Sequence, residues 1–530
     1  MEQGLNKESY TELMEKSAAL LKEKEYKEVI KTCKIIKIMY GKTMDSNALA
    51  SLYIRMANSY YSLEDKDKAT YYYEEYLKVC PKGQTSVFSR LANAYYYIDQ
   101  DKSIDYHNKS LNLEITKYDV SCKLFAMTKS SFYDQKDIKE EAEYEIDLLK
   151  SALYKNIKKY SHSDKKKNPD KKLNIGYLSS DCHAHTMMNY ILPLWENHNK
   201  QDFNFVIFNG SEKDDSTTAK IRQTGIKIVP CAKLSDEEIA KLIYDEKVDI
   251  LVDLGGYTHL KTMCALYKPA PIIVSYLGYL NTLGIKEVDY ILTDRYTIPE
   301  QYADLYTEKP LYLDKGYQIF AQKDLPEITD SPFKTNGYIT YGSFNCTSKF
   351  SDAILFIWAQ ILKKDVTSKL LIYRTQLTKN IIKNIKLKFE KLGISQDRIL
   401  FDSKSLSPHF KAYSKADISL DPYPFSGMSI AIETASMGVP TITLVGEGMQ
   451  SRGAGRINSL LGFDEFNATS GEEYIYAALK LGADKEKLST LRTTLRTKIN
   501  NSDIRVNAKE FTQDLELKYK KAWQEFIKNP

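Results

Sequence analysis

The chain has 530 residues, 43% of them hydrophobic and 27% charged, with 75 basic against 70 acidic side chains and a formal net charge of +5. That length exceeds one hydrophobic core and calls for two or three domains. The composition excludes global disorder, and so dilute a positive excess gives no reason to expect a nucleic-acid or membrane-surface binder.

From about residue 8 to 157 the chain has almost no Pro or Gly and spaces its apolar and aromatic residues as helices do. Met56-Ala57-Asn58-Ser59-Tyr60-Tyr61 recurs as Leu91-Ala92-Asn93-Ala94-Tyr95-Tyr96, 35 positions on, and Asp67-Lys68-Ala69 recurs as Asp101-Lys102-Ser103, 34 positions on. A period near 34, with small residues where paired helices touch, is the tetratricopeptide signature. Lys24 to Ile30 reads as the second helix of an earlier, looser repeat. Such pairs stack into an arm that holds a peptide or protein; an ordinary helical bundle is the plainer alternative. Residues 1–160 are therefore assigned to a helical-repeat domain. The stretch 161–172 is polar, lysine-rich and contains Pro169, and reads as a solvated linker.

From residue 173 short β-branched runs alternate with helical stretches: Leu173 to Leu178, Phe203 to Phe208, Ile226 to Val229, Ile250 to Leu254, Ile272 to Leu277 and Tyr290 to Thr293. After a turn-rich break at Pro332 to Gly337 the alternation restarts: Ile339 to Phe344, Lys369 to Tyr373, Arg398 to Phe401, Ile418 to Leu420 and Thr441 to Val445. This grammar predicts parallel sheets covered by helices, α/β in class, as two Rossmann-like domains over 173–330 and 331–530. Ligands in such sheets bind beyond the carboxyl ends of the strands.

Three strand ends carry candidate chemistry. After Ile418 to Leu420, the turn Asp421-Pro422-Tyr423-Pro424-Phe425-Ser426-Gly427 leads into a helix from about Ile430 to Met437. A helix start of this kind aims backbone N–H groups and the positive dipole end at one point, which suits a phosphate. Ser429 adds a hydroxyl, and Glu433, one turn on, is placed to accept from ribose hydroxyls; a plain βα turn is the alternative. After Ile339 to Phe344 come Asn345, Cys346 and, in the same loop, Lys349, a cation suited to a diphosphate leaving group. After Leu173 to Leu178 come His183 and His185, suited to positioning an acceptor or handling a proton. No acidic or cysteine cluster accompanies them, so no metal site is expected. His409 opens the helix before Ile418 and is placed either to stack on a base or to pack.

These residues resemble the O-linked N-acetylglucosamine transferase and SPINDLY family, which joins tetratricopeptide repeats to a GT-B catalytic region. The resemblance covers about 173 to 526. It rests on Ile175 to Asp181 with His185, Asp249 to Thr258, Lys268-Pro269-Ala270-Pro271, Leu277-Gly278-Tyr279, Asp289 to Asp294, Gly342 to Asn345 with Lys349, Ala416 to Asp421, and Met437 to Pro440. The resemblance implies an active-site histidine at His185, a diphosphate-contacting lysine at Lys349 and a nucleobase-side histidine at His409. It also implies a phosphate-binding turn at Gly427, Met428 and Ser429, an acidic residue near the ribose at Glu433, and a sugar-side backbone at Leu277 and Gly278, with Asn345 beside the donor. Departures stand at Met428, Ser429 and Ile430, where the family usually carries Thr or His followed by Thr residues, at Cys346, where a polar Gln or Asn is common, and at Leu406, where some members have a second lysine.

The resemblance further implies an inverting protein O-glycosyltransferase. It would use a nucleotide-sugar donor, UDP-GlcNAc first and GDP-fucose or UDP-glucose as alternatives, without metal or other cofactor. The acceptor would be Ser or Thr of a protein lying along the helical arm. A binding scaffold with a degenerate transferase domain is the reading from another class. Seven scattered cysteines without a C-x-x-C pair read as reduced thiols, the first eight residues lack a signal-peptide core, and no apolar run reaches the roughly 18 residues of a membrane span. A cytoplasmic protein without membrane or nucleic-acid partners is the expectation.

Overall fold

The computed structural model describes residues 9–163, 171–321, 324–404, 406 and 409–528. The first eight residues, 164–170 of the linker stretch, and Ser407 and Pro408 lie outside the described residues.

Eight helices come first: α1 (Tyr10–Lys22), α2 (Tyr26–Tyr40), α3 (Ser46–Ser62), α4 (Lys66–Val79), α5 (Thr85–Tyr95), α6 (Gln100–Leu113), α7 (Lys117–Met127) and α8 (Gln135–Leu153). They pair in order, and the repeat explains why. Met56 and Ala57 on α3, and Leu91 and Ala92 on α5, are fully buried, so the recurring small residues let neighbouring helices approach closely. Their starts are set by side-chain caps that satisfy first-turn N–H groups: Asp45 on α3, Asp65 on α4, Asp99 on α6 and Asp134 on α8.

The chain divides into two compact units. One ends at Asp119 and takes in Leu377–Ile385; the other holds Val120–Gln376 and Lys386–Pro530. The division falls inside the 1–160 stretch, because the last helix pair is bonded to the sheet region. In the second unit Gln135 Nε2 donates to Asn281 Oδ1 (2.7 Å), Lys150 Nζ to Glu287 Oε2 (3.1 Å) and Tyr154 OH to Asp236 Oδ2 (2.7 Å).

The second unit contains two parallel sheets. The first comprises β1 (Leu173–Ser179), β2 (Phe203–Asn209), β3 (Lys227–Pro230), β4 (Ile250–Asp253), β5 (Ile272–Ser275), β6 (Tyr290–Thr293) and β7 (Lys309–Tyr312), in the order β3-β2-β1-β4-β5-β6-β7. The second comprises β8 (Thr340–Ser343), β9 (Lys369–Tyr373), β10 (Ile399–Asp402), β11 (Ile418–Leu420), β12 (Thr441–Leu444) and β13 (Asn467–Ala468), in the order β10-β9-β8-β11-β12-β13. Strands β4, β5, β8, β11 and β12 are buried along their whole length, as expected where helices cover both faces. The strand order reverses beside β1 in one sheet and beside β8 in the other, which makes the ends of those strands the crevice.

The C-terminal helix, Ala508–Lys528, crosses back to the first sheet, so the 331–530 stretch does not form one half by itself. Its Glu516 accepts from His198 Nδ1 (3.0 Å) and from the Asn199 N–H (2.9 Å), and its Trp523 is buried. Among the described residues no helix is long and apolar enough to cross a membrane.

Candidate active site

The site is organised around the turn after β11. Asp421 ends the strand fully buried, and its carboxylate accepts from Ser426 Oγ (2.7 Å), Thr443 Oγ1 (2.8 Å) and the Gly427 N–H (2.8 Å). These bonds bend residues 421–427 back on themselves and fix where the next helix, Met428–Ser436, begins. That helix starts two residues before the expected Ile430. Gly427 is its N-cap and offers no side chain to cap the first-turn N–H groups of Met428, Ser429 and Ile430. The Gly427 N–H itself belongs to Asp421. A Cβ on Gly427 would lie 2.2 Å from Asn345 Oδ1, which is why the turn and the β8 loop can meet only at a glycine.

Lys349, at the end of the short helical turn Thr347–Lys349, reaches this point from the neighbouring strand end. Its ammonium donates to the Ser426 carbonyl (3.0 Å) and to Asn345 Oδ1 (3.4 Å), and lies 4.6 Å from the Phe425 ring centroid. Burial pushes its pKa down to about 8 despite the Asp421 carboxylate nearby. Burial in turn raises the Asp421 carboxyl above the usual range. Asn345 is 1% exposed and its Nδ2 has no partner among the described residues. A buried, unsatisfied donor beside a half-buried cation is an arrangement that favours an anion.

His409 and Glu433 form a second cluster of the same half. Glu433, on the helix after Gly427, accepts from Tyr413 OH and lies 3.3 Å from His409 Nε2. The imidazole stacks on Phe410 at 4.2 Å and keeps half of its surface exposed, 52%. Tyr413 and His409 are thus two of the partners of Glu433, and half of the His409 ring surface stays open.

The first sheet contributes the opposing wall. His185 follows β1, is 45% exposed, and has Asp181 Oδ2 3.5 Å from Nδ1, with the Met187 N–H donating to the same nitrogen (3.4 Å). The helix after it, α9 (Met188–Asn197), carries Tyr190, whose hydroxyl lies 2.5 Å from Ser429 Oγ and so spans the two halves. Tyr317 OH donates to Met428 Sδ (3.0 Å) across the same boundary. Beyond β5, Leu277 takes a left-handed backbone (φ 69°), a conformation that a branched residue adopts only under constraint. The constraint is Gly278: a Cβ there would sit 2.1 Å from the Leu254 carbonyl oxygen, so the two strand ends touch backbone to backbone.

The structure therefore brings Asn345, Lys349, Gly427, Met428 and Ser429 to one point, and pairs Glu433 with His409. His185 and Leu277-Gly278 come from the facing sheet. Sequence reasoning assigned no role to Asp421, Phe425 or Tyr190. Asp421 was legible as an acid ending a strand before a turn; Tyr190, one of 40 tyrosines, carried no signal. Among the described residues no group of three or more His, Cys, Asp or Glu side chains is arranged to hold a metal ion.

Two parallel-sheet domains with opposed strand ends, preceded by paired helices, define a GT-B glycosyltransferase architecture with tetratricopeptide-like repeats. The glycosyl transferase family 41 model matches residues 140–331 and 332–515, and the chain belongs to that family. Among its relatives is a Petunia hybrida protein named "Probable UDP-N-acetylglucosamine–peptide N-acetylglucosaminyltransferase SPINDLY", 28% identical over 376 residues that cover 69% of this chain and 40% of the relative. An Arabidopsis thaliana protein with the same enzyme name and the suffix SEC is 29% identical over 367 residues, 67% of this chain and 37% of its own. The chain spans about two fifths of the length of the curated relatives it matches. A solved O-GlcNAc transferase variant from Thermobaculum terrenum superposes with a TM-score of 0.81 over 98% of both chains at 22% identity, a likeness of fold.

Proposed function

We propose that this protein transfers a sugar from a nucleoside diphosphate donor, UDP-GlcNAc in the first instance, to a hydroxyl of a polypeptide. The carrying observation is the half-buried Lys349 ammonium beside the uncapped start of the Met428–Ser436 helix. Both features favour the negative charge that grows on the β-phosphate as the anomeric bond breaks. The acceptor oxygen forms the new bond to the anomeric carbon from the opposite face. The old C–O electron pair leaves on the diphosphate, and configuration inverts. His185, on the facing sheet, receives or positions the acceptor proton. The backbone at Leu277-Gly278 flanks the sugar, and the open face of His409 takes the base. Leaving-group charge is met by Lys349 and the helix start, without a metal.

The relatives' printed names support a peptide acceptor and UDP-GlcNAc as donor. The first unit exposes Tyr61 and Tyr71 on its helices and Tyr97 in the turn after α5, a surface suited to an extended polypeptide. None of the seven cysteines is in a disulfide, in keeping with a reducing compartment such as the cytoplasm.

The test is to incubate the protein, with chelator present, with UDP-GlcNAc, UDP-glucose or GDP-fucose and a protein extract, and to read added sugar by mass spectrometry. Addition of N-acetylhexosamine from UDP-GlcNAc supports the proposal. Transfer from one of the other two alone replaces the donor, and no transfer from any, with no nucleotide bound, replaces the enzyme by a scaffold.

Two further outcomes follow. Lys349 is an attracting ammonium below about 8 and a neutral amine above it, so kcat/KM for the donor should fall as pH rises through about 8, close to tenfold per pH unit beyond the inflection. A flat profile from pH 7 to 10 contradicts this. Glu433→Ala frees His409 and strands the Tyr413 hydroxyl; KM for the donor should rise about tenfold with a smaller change in kcat, as expected when one binding contact is lost.

A further inference from the structure

The helix that begins at Met428 opens with Met428, Ser429 and Ile430, and only one of these side chains can donate a hydrogen bond. Met428 carries a thioether, which accepts from Tyr317 OH (3.0 Å), and Ile430 is a hydrocarbon. Ser429 is therefore the single hydroxyl among them. It has one proton and two lone pairs. Turned to a phosphate oxygen by its proton it adds a hydrogen bond; turned by a lone pair it adds repulsion.

The hydroxyl does not rotate freely. Tyr190 OH lies 2.5 Å from Ser429 Oγ. Tyr190 is 2% exposed and Ser429 is half-buried, so the pair has a buried inner end and an open outer end. The phenol ring meets the Phe320 ring edge-on at 4.7 Å, which fixes where its hydroxyl points. Burial raises the phenol above its ordinary range, so it is a protonated donor at neutral pH. When the phenol donates, Ser429 accepts on its inner side and its own proton is left to point outward. The reverse direction would present serine lone pairs to the ligand, and an anion selects against it. Hydroxyls donating in series also strengthen one another, because each bond accepted polarises the next O–H.

The same contact joins the two halves of the catalytic region. Tyr190 lies in the first turn of α9, where the Met188 N–H donates to the His185 carbonyl (3.1 Å). The segment that carries His185 is thereby tied, through Tyr190 and Ser429, to the helix start that faces the leaving group.

We propose that Tyr190 is a positioning residue of this site: its O–H donates to Ser429 Oγ, turns the Ser429 proton toward the donor's diphosphate and holds the His185 segment against the phosphate turn. This rests on the reading of the site as a nucleoside diphosphate-sugar site.

The test is a double-mutant cycle on the full-length protein: parent, Tyr190→Phe, Ser429→Ala and the double variant. Tyr190→Phe keeps the ring and its packing, and Tyr190→Met repeats the loss of the hydroxyl with a flexible side chain; either one, once shown folded by its thermal melt, decides the question. UDP, GDP, inorganic pyrophosphate and uridine are titrated by calorimetry, and kcat and KM are measured with the donor the parent uses. Ser429→Ala should weaken the nucleoside diphosphate and pyrophosphate about 10- to 100-fold, as expected for a lost hydrogen bond to a charged group. Tyr190→Phe should weaken the same ligands about 3- to 10-fold and lower kcat, with uridine affinity within about twofold of the parent. Without Ser429 it should change binding by no more than about twofold, because the two hydroxyls act as one. A tyrosine variant that binds the diphosphate as tightly as the parent overturns the role of Tyr190 alone. So does a loss of the same size with and without Ser429, or one shared equally by uridine, which marks a packing role. A parent that binds none of the four overturns the nucleotide-sugar reading, and the Tyr190 proposal with it.

Discussion

Lys349→Ala is expected to lower the rate of sugar transfer by about 10²–10³-fold while leaving the protein folded. The side chain stands where leaving-group charge develops, and its ammonium is held by the Ser426 carbonyl and Asn345 Oδ1, not by a strong ion pair. Stability should not suffer. A lysine whose pKa is about 8 in the folded protein and about 10.4 in the unfolded chain binds fewer protons when folded. Below about 8 both states are protonated and the cost of burying the charge is fully present; it fades as pH rises towards the unfolded value. Removing the amine at pH 7 therefore removes a cost, offset by lost packing. Single-turnover transfer and a thermal melt check the two halves of this expectation. Full transfer by the variant would sink the assignment of Lys349 to the leaving group.

The second large effect is on the turn itself. Asp421→Ala removes the acceptor of Ser426 Oγ, Thr443 Oγ1 and the Gly427 N–H at once. Each stranded buried donor costs about 1–3 kcal/mol, so a loss of about 3–5 kcal/mol in unfolding free energy is expected. Asp421→Asn, which keeps one acceptor oxygen, should lose less. Donor binding should disappear with either, because Gly427 and the helix start are placed by these bonds. Denaturant unfolding of both variants, with nucleotide titration, is the check. Parent-like stability in Asp421→Ala would mean that the turn is held by something other than its carboxylate.

Most strands were legible from β-branched runs bounded by turns, and Tyr290 to Thr293, Lys369 to Tyr373 and Ile418 to Leu420 match β6, β9 and β11 residue for residue. Two strands gave no signal. β7, Lys-Pro-Leu-Tyr, is an edge strand whose proline and lysine read as loop, and β13 has only two residues, Asn467–Ala468. The run Ile272 to Leu277 overshoots β5 because the chain turns into the left-handed region at Leu277, where apolar character continues although extended pairing does not.

Within the site, local patterns pointed to residues that follow strands: Lys349, Asn345, Gly427, Ser429 and His185. Contacts made across the fold were silent. Glu433 was placed near the right ring of residues, but the Tyr413 hydroxyl and His409 imidazole that claim its carboxylate lie 20 and 24 positions back in the sequence, beyond the reach of local spacing.

The central claim is that the cleft between the two sheets holds a nucleoside diphosphate with its β-phosphate at Lys349. A crystal structure of the protein with UDP tests it most directly. The β-phosphate oxygens should lie about 2.7–3.0 Å from Lys349 Nζ and from the first-turn N–H groups after Gly427, the range of charge-assisted hydrogen bonds, with the base against the open face of His409. A diphosphate bound elsewhere, or bound here with Lys349 turned away from it, would contradict the account.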